Sequence, residues 1–332
     1  MNIPGKVAIL GSGSWATAVA KIVQMNGADM YWLLRSQDKI DQFRSLGHNP
    51  GYLSSVRFDT DRITFTTDIN EAILHSDTII FAMPSPYLKP SAEQITTSFK
   101  DKVVISVIKG IVAGDNITIS DYLQSKFDLA DNQIATLSGP SHAEEVAFER
   151  LTYLTVGCKD VTVGEAIAEF FANYFVHTTT STDIIGVQYA GVLKNIYAIA
   201  SGIINGLKYG DNFHAVLTAN AIREMKNYLN HMAPLAERNI TESVYTGDLL
   251  VTSYSRFSRN HQFGTMIGKG YSVKTAQLEM EMIAEGYYGT KCIKEINQQY
   301  GIEIPIVDCV YNILYKRMSP FVEIKLLSDM LR

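Results

Sequence analysis

The sequence predicts an α/β domain with a mostly parallel sheet, followed by an all-α domain. Three observations carry that prediction. Short apolar runs alternate with helical segments through the first half of the 332-residue chain. A polar stretch, "HTTTSTD" at 177–183, ends the alternation. From Ile184 onward the apolar spacing is helical almost throughout. Alternating strands and helices imply an open α/β sheet, and runs apolar on both faces suit parallel strands covered by helices. The boundary falls near 180–190, dividing the chain into 1–183 and 184–332.

The elements follow in order. "KVAIL" (6–10) reads as a strand, "SWATAVAKIVQMNG" (14–27) as a helix and "MYWLL" (30–34) as the next strand. Further strands are expected at "DTIIFAM" (77–83), "VVISVI" (103–108), "IATL" (134–137) and "TYLTVG" (152–157). In the second half, "HAVLTANAIREMKNYLNHM" (214–232), "SVKTAQLEMEMI" (272–283) and "IPIVDCVYNILYKRM" (304–318) each predict a helix. So does "YAGVLKNIYAIASGI" (189–203), whose single charge, Lys194, sits among Ala, Val, Leu and Ile. A buried ammonium is costly unless paired, and its pKa moves easily. Such a lysine either snorkels to water or does proton chemistry.

Composition narrows the function classes. Apolar residues make up 46% and charged ones 19%, with a net charge of −5, unlike the basic stripe of a nucleic-acid binder. No apolar run approaches the roughly 20 residues that span a bilayer. "MNIPGKVAIL" enters a strand at once, without the charged start and cleavage site of a signal peptide. Cys158, Cys292 and Cys309 are odd in number and far apart, which predicts reduced thiols and a cytoplasmic setting. The histidines lack zinc-ligand spacing, so no metal is expected.

"GSGSWA" (11–16) follows the first strand and opens a helix. This G-x-G-x-x-A pattern is the dinucleotide fingerprint of a Rossmann-type domain: Gly11 for the tight turn, Gly13 for approach of a pyrophosphate, Ala16 for helix–strand packing. The helix N-terminus adds free N–H groups and partial positive charge. The second strand ends in "WLLR". NAD-specific folds usually carry an acidic residue there; Arg35 instead suits a 2′-phosphate, so NADP is expected, with NAD still open.

Ligands of open α/β sheets bind outside the carboxyl ends of the strands. There "MPSPY" (83–87) makes a rigid turn, and "IKG" (108–110) places Lys109 beside Gly110. "SGPSHAEE" (138–145) offers Gly139 and Ser141, and Ser141 with Glu144 fits the capping box S-x-x-E. In the helical half "GLKYGDN" (206–212) is a glycine-broken turn. "GDLLVTSYSRFSRN" (247–260) brings Asp248, Thr252, Ser258, Arg259 and Asn260 into one loop region. Arg with Ser and Asn suits a phosphate.

In this order, "GSGSWATAVA", "WLLR", "MPS", "IKG", "LSGPSHAEEVA", "LKNIYAIASGIINGLKYGDN", "GDLLVT", "SRN" and "EG" (285–286) resemble the bacterial-type NAD(P)-dependent glycerol-3-phosphate dehydrogenases over residues 11 to 286. The resemblance implies reversible reduction of dihydroxyacetone phosphate to sn-glycerol 3-phosphate, for glycerophospholipid synthesis. It implies Lys194 as general acid or base, Lys109 polarising the carbonyl, and Asp248 ordering the lysine and the substrate hydroxyls. Gly139, Ser141, Asn195, Ser258, Arg259 and Asn260, with Lys109, Lys194 and Asp248, would hold the substrate. Gly11, Gly13, Ser14, Trp15, Arg35, Lys109, Ala143, Arg259, Ile283 and Glu285 would line NADP or NAD. His142 stands where the family usually has Phe, and Glu144 where lysine is common. Two other readings suit the same features: another two-domain hydroxyacid or hydroxyacyl dehydrogenase, and a non-enzymatic nucleotide-binding redox sensor. The apolar helical half is compatible with a homodimer.

Overall fold

The first unit of the chain owes its shape to where one strand sits. The computed structural model describes residues 3–280 and 284–332. They group into two compact units, Met1–Ile108 with Ile119–Ile184, and Lys109–Thr118 with Ile185–Arg332.

In the first unit, β1 (Val7–Leu10) leads through α1 (Ser14–Met25) to β2 (Met30–Leu33), then α2 (Gln37–Leu46), β3 (Ile63–Thr66), α3 (Ile69–Leu74), β4 (Thr78–Phe81), α4 (Leu88–Ala92) and β5 (Val103–Ser106). The short pair β6 (Ile111–Val112) and β7 (Ile117–Thr118) belongs to the second unit. The first unit resumes with α5 (Ile119–Phe127), β8 (Ile134–Ser138), α6 (Ala143–Ala147), β9 (Thr152–Gly157), α7 (Val161–Phe171) and β10 (Val176–Ser181). The eight strands other than β6 and β7 form one sheet ordered β10-β9-β8-β5-β4-β1-β2-β3. All pairings are parallel except β8 with β9. The chain therefore runs outward from β1 through β2 and β3, then returns to the other side of β1 with β4. That reversal puts the topological switch point, where such sheets open a crevice, at the carboxyl end of β1.

Two expectations change. The polar "HTTTSTD" does not end the strands: most of it forms β10, which lies at the sheet edge, where a polar face meets water. "ITFT", not anticipated as a strand, forms β3 at the opposite edge. Its Phe65 joins Trp32, Phe43 and Phe58 in an aromatic cluster under the sheet.

The second unit is helical: α8 (Ile184–Gly206), α9 (Asp211–Met232), a π-turn at Ser243–Gly247, α10 (Asp248–Tyr254), α11 (Arg259–Gly268), α12 (Val273–Glu279), α13 (Glu285–Tyr300), α14 (Pro305–Tyr315) and α15 (Pro320–Met330). Helix α12 is shorter than the predicted 272–283, of which residues 281–283 lie outside the described residues. Helix α8 is buried nearly throughout and forms the axis of the core. Its carboxyl half crosses α11 backbone to backbone. Each helix carries two glycines four residues apart, Gly202 and Gly206 on α8, Gly264 and Gly268 on α11. A Cβ on Gly202 would stand 2.1 Å from the His261 carbonyl oxygen, and one on Gly264 2.1 Å from that of Ile199. Only glycine admits that approach, and it brings the start of α11 down onto α8. All three cysteines are free and buried. No described helix is long and apolar enough to cross a membrane.

Candidate active site

Two clusters answer the sequence reading, one in each unit. In the first unit the glycine loop lies directly after β1, at the switch point. Gly11 has φ +137°, and a Cβ there would stand 2.5 Å from the Ala82 carbonyl oxygen, so the turn demands glycine. At Gly13 a Cβ would meet nothing within 4 Å. Its backbone faces open space, as a cradle for a pyrophosphate would. Gly13 caps α1 without a side-chain bond, and the helix N-terminus it opens carries the partial positive charge that favours an anion. Trp15 Nε1 is buried with no hydrogen-bond partner among the described residues.

Side chains that the motif does not reveal hold the loop. Trp32 Nε1 donates to the Gly11 carbonyl at 2.8 Å, and Asn49 donates to the Ser12 carbonyl at 3.1 Å and to Thr17 Oγ1 at 2.8 Å. Ser14 is buried at the first position of α1. Arg35 is exposed after β2, its guanidinium 5.6 Å from the centre of the Tyr87 ring. The open backbone at Gly13, at the helix N-terminus, fits a dinucleotide pyrophosphate.

The segment after β8 differs from expectation. Ser141 is not the cap of α6: its hydroxyl donates to the Gly139 carbonyl at 2.9 Å, and the helix starts from His142 with no side-chain bond. The S-x-x-E spacing failed because the chain turns at Gly139 and Pro140 before it coils. Gly139 has φ +131°, and a Cβ there would stand 2.5 Å from the Tyr153 carbonyl oxygen. Ala143 is buried in the first turn of α6.

In the second unit the buried lysine finds its reason. Asp248 and Thr252 lie not in a loop but one turn apart on α10, so both face α8. Lys194 Nζ donates to Asp248 Oδ1 at 2.6 Å and to Thr252 Oγ1 at 2.8 Å. Lys109 Nζ donates to the other carboxylate oxygen at 2.9 Å. One carboxylate, 1% exposed, thus serves two ammonium groups. Burial drives the Lys194 pKa down and Lys109 adds to this; Asp248 opposes them, and the result is about 7. For Asp248 burial alone would raise the pKa, but Lys109 and Lys194 hold it below the ordinary carboxylate range. A lysine with a pKa near neutrality can both give and take a proton.

Beside this trio a chain of amides ties three helices together. Asn195 donates to the Lys109 carbonyl at 3.3 Å and its Oδ1 accepts from Asn260 Nδ2 at 3.0 Å; the side-chain Oδ1 of Asn260 accepts from Gly286 N at 2.9 Å. Gly286 is required by close approach, since a Cβ would lie 2.6 Å from the Asn195 carbonyl oxygen. Ser258 is the cap of α11, accepting from His261 N at 3.2 Å; Arg259 opens that helix, and Glu285 opens α13. Ile283 lies outside the described residues. Thr252 is absent from the sequence-based site assignment, because its bond to Lys194 exists only once the short α10 packs against α8.

Comparison with known proteins decides the family. The model of the NAD-dependent glycerol-3-phosphate dehydrogenase N-terminus matches residues 6–164, and that of its C-terminus residues 183–325. The chain belongs to the NAD-dependent glycerol-3-phosphate dehydrogenase family. A glycerol-3-phosphate dehydrogenase [NAD(P)+] of Staphylococcus carnosus (strain TM300) is 34% identical over 326 residues, 97% of each chain. That of Bacillus subtilis (strain 168) is 35% identical over 93% of this chain and 90% of its own. The crystal structure of glycerol-3-phosphate dehydrogenase from Coxiella burnetii superposes with a TM-score of 0.90 at 27% identity, covering 98% of this chain and 99% of that one. Family membership favours the glycerol-3-phosphate dehydrogenase over both the hydroxyacid or hydroxyacyl dehydrogenase and the redox sensor.

Proposed function

We propose that this member of the family interconverts dihydroxyacetone phosphate and sn-glycerol 3-phosphate with NADPH or NADH, supplying glycerophospholipid synthesis. The observation that carries the reading is the Asp248 carboxylate shared by Lys194 and Lys109. Bound NAD(P)H supplies the hydride that reaches C2 of the ketone. As that carbon is reduced, its oxygen gathers negative charge and needs a proton. Lys194, poised near neutrality, donates it, and in the reverse direction takes it back. Lys109, held by Asp248, would polarise the carbonyl and stabilise the developing alkoxide. Asp248 is not consumed: it holds both ammonium groups in place and offsets their repulsion. Thr252 fixes the lysine's direction, since its own proton goes to the Asp248 carbonyl at 2.6 Å and its lone pair receives Lys194.

Gly139, Ser141, Asn195, Ser258, Arg259 and Asn260 are assigned to the substrate, with Arg259 taking the phosphate. Gly11, Gly13, Ser14, Trp15, Arg35, Lys109, Ala143, Arg259, Ile283 and Glu285 are assigned to the cofactor. The first unit serves as the dinucleotide-binding domain and the helical unit as the substrate domain. A cytoplasmic homodimer completes the proposal. The test is direct: mix the protein with dihydroxyacetone phosphate and NADPH or NADH and follow the nicotinamide absorbance. Lys194→Ala is expected to lower kcat at least roughly a hundredfold, the scale of general acid–base catalysis. Near-normal turnover in that variant would remove Lys194 from its role.

A further inference from the structure

Behind the lysine–aspartate centre lies a second polar cluster that the proposed chemistry does not use. Ser201 is on α8, seven residues after Lys194, so the two share one face of the helix two turns apart. Lys194 meets α10 at Asp248 and Thr252. Ser201, 1% exposed, meets the same helix one residue further on, its hydroxyl donating to the Ser253 carbonyl at 2.8 Å. That carbonyl lies in the last turn of α10, where helical acceptors run out. Its next helical donor, Phe257 N, bonds to Ser255 Oγ instead. Ser201 therefore ties down the carboxyl end of the helix whose first residue is Asp248.

Ser201 is itself held. His214, on α9, hydrogen-bonds the serine oxygen through Nε2. A hydroxyl has one proton and a carbonyl can only accept, so the serine proton is committed to Ser253 and His214 must donate through Nε2–H. The imidazole is stacked on Tyr254, the last residue of α10, with ring centres 4.3 Å apart. It is also parallel to His261 of α11 at 6.5 Å. Tyr254 in turn shares a hydrogen bond with Thr218 of α9 at 3.3 Å. The groups facing His214 are Ser201, Tyr254 and His261, with Asp211 on its own helix acting through its charge.

We propose that His214 and Ser201 are positioning residues for the reaction: the relay from imidazole N–H through the serine hydroxyl to the Ser253 carbonyl sets where α10 holds Asp248 and Thr252 against Lys194. Neither residue touches the reacting atoms. The inference rests on the proposed roles of Lys194 and Asp248, and goes beyond them by saying what places the carboxylate. With the relay cut, α10 shifts or loosens at its carboxyl end. Lys194 then loses contact with the groups that favour its charged form, and its proton leaves at lower pH.

The experiment compares Ser201→Ala, His214→Phe and His214→Gln with the unmodified protein. Phenylalanine keeps the stacking on Tyr254 but has no donor, whereas the glutamine amide restores an N–H near Nε2. Three readouts are taken: kcat for dihydroxyacetone phosphate reduction across pH, KM for the nicotinamide cofactor, and deuterium exchange of the 248–254 amides. Ser201→Ala and His214→Phe are expected to lower kcat about tenfold, as sub-ångström misplacement of a catalytic group does. Both should move the alkaline limb of the kcat profile to lower pH and speed exchange in α10, with cofactor KM unchanged. His214→Gln should recover most of each loss. A merely structural role would lower Tm in these variants while leaving the pH limb and α10 exchange unmoved, and that result overturns the proposal. Equal behaviour of the glutamine and phenylalanine variants overturns it too. If the unmodified protein does not reduce dihydroxyacetone phosphate, the activity reading fails, and the exchange arm alone still decides whether the relay holds α10.

Discussion

Asp248→Asn separates the charge of the carboxylate from its shape. The amide keeps a hydrogen-bonding oxygen near Lys194 but removes the negative charge lying 2.6 Å from one ammonium and 2.9 Å from the other. At an effective dielectric of about 20, two unit charges 4 Å apart attract by about 4 kcal/mol. At 1.36 kcal/mol per pKa unit, that loss lowers the Lys194 pKa by about two to three units. In the unmodified protein a pKa of about 7 leaves the lysine roughly half protonated at neutral pH. The sign follows: reduction needs the ammonium, so its rate falls as pH rises through that value, and the variant's fall comes at lower pH. At pH 7 the protonated fraction in the variant drops to about a hundredth or less, and kcat/KM for reduction drops with it. The assay is the pH profile of kcat/KM with dihydroxyacetone phosphate, followed by nicotinamide absorbance, with Tm recorded alongside. A variant that loses activity while the profile keeps its midpoint would refute the electrostatic reasoning and leave Asp248 with a purely geometric role.

Three further outcomes are expected. Gly202→Ala puts a methyl 2.1 Å from the His261 carbonyl oxygen and should cost about 1–3 kcal/mol of stability, read as a lower Tm, as overpacking does. Glu224, buried and bonded to Ile306 N and Val307 N, has its pKa pushed up by burial to about 8 from an ordinary 4.5. Its protonation therefore favours the folded state below the ordinary value, and that contribution is lost as pH rises towards 8; Glu224→Gln should flatten the dependence of Tm on pH across this window. Arg35→Ala should raise KM for NADPH more than for NADH, measured by initial rates with each; equal effects would remove the 2′-phosphate contact.

Much of this protein was legible in the chain because the signals are local. The fingerprint at Gly11–Ala16 needs only one strand, one turn and one helix, and the solitary charge in "GVLKNIYAIAS" announces itself against its neighbours. The change of period near 184 marks the start of the long helical stretch, but nothing local shows that Lys109–Thr118 groups with the second unit. Local patterns misled where tertiary context decided. Ser141 and Glu144 have the spacing of a cap, yet the chain turns at Gly139 and Pro140 first. "HTTTSTD" looks like an end of strands but forms an edge strand, because an edge needs only one apolar side. Asp248 and Thr252 were read as loop residues because the helix that carries them, Asp248–Tyr254, is too short to show a period.

By itself the sequence determined the fold class, the glycine loop and the presence of an ammonium in an apolar helix, since each depends on residues a few positions apart. Only the tertiary structure decided what that ammonium meets. Asp248 lies 54 positions from Lys194 and 139 from Lys109. Helix α8 and α11 approach through bare glycine backbone, and Ser201 and His214 reach α10 from two other helices. Contacts between groups so far apart along the chain are set by how whole helices pack, and packing leaves no periodic trace in any short window.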